Sequence, residues 1–100
     1  MTSKRAPKHL SRPARAWFRK VAGIWTLDES GELLLVVALE AYDRLAQCRA
    51  AIEADGLLVE GKPHPLLGPE DKARTSLLRA WRQLGLDVEA PLPTGRPPGS

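Results

Sequence analysis

The chain has little of several things that usually betray a protein's chemistry. It has one cysteine, Cys48, so no internal disulfide can form, and a reducing compartment suits it best. A small side chain on a buried helix face is the role that suits Cys48. No apolar run approaches the roughly 18 residues of a membrane span; the longest is Leu33 to Leu39. The basic N-terminus is not followed by an apolar signal segment. Aromatic residues are few, at 5%, and three of them are tryptophan. No glycine-rich phosphate loop occurs. The two histidines, His9 and His64, lack the spacing to Cys, His or Asp that a metal site requires, so neither a metal nor another cofactor is expected. Ser11, Ser30, Ser76 and Cys48 have no evident base beside them, so the chain reads as a protein that is not an enzyme.

Acidic residues are missing from one region in particular. Residues 1–27 contain Lys4, Arg5, Lys8, Arg12, Arg15, Arg19 and Lys20 and neither Asp nor Glu, a charge of +7. Residues 28–100 carry eight basic and twelve acidic residues, a charge of −4. A basic head on a mildly acidic body suggests an anionic partner, with nucleic acid ahead of a membrane surface. These seven basic residues are the candidate DNA contacts, and their solvation role is the plain alternative.

One hundred residues allow one small domain with a small core. The expected fold is all-α, with three main helices and a long central one. Residues 1–10 read as a flexible basic arm. The helical domain covers 11–87, and 88–100 read as a flexible tail rich in proline and glycine. Ser11 is suited to cap the first helix, with Pro13 in its first turn. Ala14, Trp17, Phe18, Val21 and Trp25 then share one face, while Arg12, Arg15 and Arg19 fall opposite. The tryptophans on the apolar stripe belong to the core more readily than to a base-stacking platform.

Thr26 or Asp28 can cap the second helix, which runs free of proline from Glu29 to Ala54 and ends at Gly56. At about 1.5 Å per residue it spans about 39 Å. Its first half is apolar nearly all round, which demands cover on most sides. Two shorter helices supply little cover, so the helix is either tightly buried at the centre of its own chain or buried against other copies; a homo-oligomer is expected, with Leu35, Val36, Leu39 and Tyr42 as its contact residues. Leu57 to Val59 reads as a strand or an extended segment, and a small hairpin fits there. The third helix starts at Pro65 or Pro69, buries Ala73, Leu77, Ala80, Trp81 and Leu84, and stops at Gly85.

The order of these features resembles the small terminase subunit family of tailed bacteriophages. "APKHLSRPARAWFRKVAG" is similar to that family's opening. "TLDESGELLLVVALEAYDRLAQCRAAIEADGLLVEG", with Glu40-Ala41-Tyr42, is similar to its central segment. "HPLLGPEDKARTSLLRAWRQLGLD", with His64-Pro65 and Leu84-Gly85-Leu86, is similar to its closing segment. The likeness runs from Ala6 to Asp87 and rests on the ordered set. The Trp17-Phe18 order, Gly68-Pro69 and the proline-rich tail depart from the pattern.

The resemblance implies a non-enzymatic DNA-packaging factor of the bacterial host cytoplasm, from a phage or prophage. Such a factor forms a homo-oligomeric ring and binds double-stranded viral DNA. It delivers that DNA to the large terminase subunit, which holds the ATPase and nuclease, and modulates it. The alternatives are a dimeric helical transcriptional regulator and an interaction scaffold whose basic head only solvates it.

Overall fold

A computed structural model describes residues 5–93. Lys4 lies outside the described residues, as do the other residues of 1–4 and 94–100. The elements are helix α1 (Arg12–Ile24), helix α2 (Glu29–Asp55), strand β1 (Leu58–Val59), strand β2 (Lys62–Pro63) and helix α3 (Leu67–Leu84). The protein is mostly helical with one two-stranded sheet.

The helix starts follow from capping. Ser11 Oγ accepts a hydrogen bond from the Ala14 N–H at 3.2 Å, and Pro13 sits in the first turn, where no intrahelical donor is lost. Asp28, rather than Thr26, caps α2 by accepting from the Gly31 N–H at 2.7 Å. Glu29 and Glu32 complement the positive end of that helix. α3 begins between the two expected prolines, at Leu67. Pro69 is its third residue, where the amide would have no intrahelical acceptor, so the ring is accommodated without a kink. The helix stops at Gly85, whose φ of 70° lies in the left-handed region that glycine adopts without strain.

α2 runs through the middle. α3 packs along it extensively, and α1 packs against it over a smaller area. The shared core holds Leu10, Ala14, Phe18 and Val21 from the N-terminal part, Leu35, Ala38, Leu39, Ala41 and Leu45 from α2, and Ala73, Leu77, Ala80 and Trp81 from α3. Cys48 is a buried free thiol, as its place on the apolar stripe suggested. α1 and α3 also touch: the Trp17 and Trp81 rings meet edge to face, with centroids 6.2 Å apart.

The hairpin is real. Leu58 pairs with Pro63 and Val59 with Lys62, antiparallel. Glu60 and Gly61 form the turn with φ of 53° and 77°, the two positive values of a type I′ turn. The His64 N–H donates to the Leu57 carbonyl at 2.8 Å and extends the pairing by one step.

The two expected flexible ends are packed where they are described. In the arm, Leu10 is buried in the core, Ala6 packs against that core, and the Leu10 N–H donates to the Pro7 carbonyl. In the tail, the indole N–H of Trp81 donates to the Val88 carbonyl at 3.0 Å, and an Arg49 Nη donates to the Pro93 carbonyl at 2.6 Å. Pro91 and Pro93 are buried. The composition marked 1–10 and 88–100 as flexible ends, and in their described parts, 5–10 and 88–93, there is neither helix nor strand. Composition missed that apolar side chains and free carbonyls can dock an extended segment on a finished bundle.

Candidate nucleic-acid interface

The basic residues of the head stand on a rigid support. In α1 the buried side chains are Ala14, Phe18 and Val21, which turn the opposite face outward. Arg12, Arg19 and Lys20 are exposed on that face and Arg15 is half-buried at its flank. Arg5 and Lys8 are exposed in the segment leading into α1. The Lys20 ammonium lies 4.7 Å from the centre of the Trp17 ring, a contact worth about 0.5–1 kcal/mol at an exposed site. Neither Asp nor Glu occurs on α1 to neutralise this face.

Two polar contacts fix the leading segment against α2. His9 Nε2 lies 2.7 Å from Glu40 Oε2. The Ser11 N–H donates to Asp43 Oδ2 at 2.7 Å, and the Ser11 hydroxyl donates to Asp43 Oδ1. A hydroxyl, an imidazole and two carboxylates thus lie together, beside a shallow cleft of about 270 Å³ lined by His9, Leu10, Glu40, Asp43, Arg44 and Gln47. The hydrogen bonds do not connect them as a nucleophile and its base. Ser11 is spent on Asp43 and on capping α1, and His9 faces Glu40. The cluster holds α1 to α2.

Among the described residues, His64 is the one buried polar residue, at 5% exposure. Its Nδ1 accepts from the Leu66 N–H at 3.0 Å, which assigns the ring proton to Nε2, 2.9 Å from Asp55 Oδ2. Its carbonyl accepts from the Leu67 N–H at 3.1 Å. His64 therefore joins the end of α2, the hairpin and the start of α3. Nothing local in the sequence announces this bracing role. A second joint is Arg49, whose Nε donates to Glu70 on α3 at 3.1 Å while its Nη holds Pro93.

The four residues expected to meet other copies divide. Leu35 and Leu39 are fully buried in the chain's own core. That core already covers them, so neither side chain faces outward from the single chain. Val36 and Tyr42 are half-buried and pack against the same core. The Tyr42 phenol is raised above its ordinary pKa of 10.0, first by burial and then by the neighbouring Asp43 charge. The large apolar side chains of α2 that do face outward are Leu33 and Val37, at 66% and 50% exposure.

Among the described residues, no group of three or more His, Cys, Asp or Glu is placed to hold a metal ion. No helix among them is long and apolar enough to cross a membrane. No family model, curated protein or solved structure matches the chain.

Proposed function

We propose that the chain is a non-enzymatic DNA-packaging factor of the small terminase subunit kind. It binds double-stranded viral DNA through Arg5, Lys8, Arg12, Arg15, Arg19 and Lys20, together with Lys4. It presents that DNA to a large terminase subunit in the bacterial host cytoplasm. The observation that carries this reading is the basic face of α1, a helix with no acid of its own, held on α2 by the contacts of His9 and Ser11. Phosphate contact through such a face gives affinity and salt sensitivity without reading sequence. Assembly uses the outward Leu33 and Val37 with the half-buried Val36, and copies arranged in a ring multiply weak single contacts.

The test is binding of the full chain to duplex DNA over a series of salt concentrations. Four phosphate contacts per protomer give a log–log slope of about −3.6. Replacing Arg12, Arg15 and Arg19 with Gln should flatten that slope by about 2.7. An unchanged slope and affinity would remove α1 from the interface.

The burial of Leu35 and Leu39 favours a second reading, a dimeric helical DNA-binding regulator, because it leaves α2 a smaller outward apolar surface. Native mass separates the two: a ring supports packaging, and a dimer that never grows supports the regulator.

A further inference from the structure

α3 carries a second basic face that the reading of the head leaves unused. Lys72, Thr75, Arg79 and Arg82 recur at i, i+3, i+7 and i+10, and all four are exposed. Ser76 and Gln83 flank them and are exposed too. The acids nearest in sequence on α3 are already engaged. Asp71 pairs with Arg74, and Glu70 with Arg49 at 3.1 Å. Asp87 and Glu89 lie past Gly85, on the returning segment. Lys72, Arg79 and Arg82 have no ion pair among the described residues. Nothing in the packing of α3 requires these side chains, because the helix is buried through Ala73, Leu77, Ala80 and Trp81.

The face differs in kind from that of α1. α1 presents arginine and lysine beside small residues, which supplies charge. α3 mixes cations with a threonine, a serine and a glutamine, side chains that donate to and accept from base edges. Lys72 and Arg82 are separated by about 15 Å along the helix axis, enough to reach both walls of a major groove about 12 Å wide. Thr75 and Arg79 lie between them. The Trp17 and Trp81 rings touch, and Lys20 sits over Trp17.

We infer that the exposed face of α3 is a second duplex-DNA contact, with Lys72 and Arg82 on phosphates and Thr75, Arg79 and Gln83 toward base edges. The inference rests on the reading of the chain as DNA-binding and adds to it the surface that discriminates sequence.

The experiment uses the full chain, with circular dichroism to show that each variant is folded. One probe is a duplex of arbitrary sequence, titrated over a salt series. The other is a pool of randomised duplexes, sequenced after selection. K72Q/R82Q should reduce the salt slope by about 1.8, and R44Q/K62Q, which removes the same charge from other exposed sites, should leave it unchanged. T75A/Q83A changes no charge. It should keep arbitrary-duplex affinity within about twofold while altering the sequence enriched from the pool. Equal slopes for K72Q/R82Q and R44Q/K62Q, or the same enriched sequence from T75A/Q83A as from the parent, would overturn the inference. If the parent binds duplex DNA and only the α1 variants weaken it, α3 alone is dismissed. If the parent binds no duplex, the DNA-binding reading fails and this inference with it.

Discussion

Each end of the bundle is tied to α2 by a histidine and a carboxylate, and the two ties differ in everything but chemistry. His9 meets Glu40 at 2.7 Å, with side chains 56% and 44% exposed. His64 meets Asp55 at 2.9 Å, with its own side chain only 4% exposed. The exposed pair competes with water and salt, and such pairs contribute about 0–1 kcal/mol. The buried ring also accepts from Leu66, so its loss leaves a helix-start amide without its partner. Distance alone ranks the first pair higher. Burial and the second hydrogen bond reverse that ranking.

The largest expected effect removes the support that both ties share. Leu39 is fully buried in the core common to the three helices. Leu39→Asp deletes that packing and buries a carboxylate with no partner, at a cost of about 4 kcal/mol or more. A small domain has about 5–10 kcal/mol in total. The variant should therefore lose most of its cooperative urea transition. A folded variant with a midpoint near that of the parent would remove Leu39 from the core.

Next comes the comparison itself. His64→Ala should cost about 2 kcal/mol, from the lost bond to Leu66, the lost contact with Asp55 and the space left behind. His9→Ala should cost about 0.5 kcal/mol or less. Chemical denaturation of both variants checks the difference. Equal midpoint shifts would mean that burial does not distinguish the two ties.

How much of this was legible in the sequence depended on whether the signal was local. α1 and α2 follow directly from Ser11, Pro13, Asp28 and Gly56, because caps and breakers act within one turn of the chain. The basic face of α1 was legible for the same reason, since helical spacing alone separates Arg12 and Arg19 from Phe18 and Val21. The share of α2 covered by its own chain was not. Leu35 and Leu33 look alike in a run of leucine and valine, and only the placement of α1 and α3 buries one and exposes the other. The His64 joint was partly within reach. A two-residue turn at Glu60-Gly61 sets Leu57 opposite His64, which returns the chain toward Asp55. Glu60 is a poor residue for such a turn, and that hid the signal. Arg49 gave no hint, because its partners Glu70 and Pro93 are remote in sequence.

Glu60 offers a way to sharpen the buried end instead of breaking it. It sits at φ 53°, where a residue with a long side chain is strained and asparagine is favoured. Glu60→Asn should stabilise the protein by about 0.5–1 kcal/mol, because Asn-Gly is the preferred pair for this turn. The gain should vanish in a His64→Ala background if the hairpin is worth ordering only when it is buckled to α3. A full gain in both backgrounds would make the turn and the joint independent.

The smallest effect lies at the exposed end and appears only in alkali. Tyr42 neighbours Asp43, the residue that holds Ser11, and burial followed by that charge raises its phenol above 10.0. The unfolded chain therefore releases this proton at a lower pH than the folded one. Over the interval between the two values the folded state holds more protons, so stability falls as pH rises through it. Below pH 10 the residue contributes no slope. Tyr42→Phe should leave the midpoint near neutrality almost unchanged and make the decline above pH 10 shallower. Asp43→Asn should also make that decline shallower, though less so, because it removes only the lesser cause. It should also loosen Ser11, which Tyr42→Phe leaves in place. A decline equally steep in the parent and Tyr42→Phe would assign the alkaline sensitivity to other groups and leave Asp43 with the single task of holding α1.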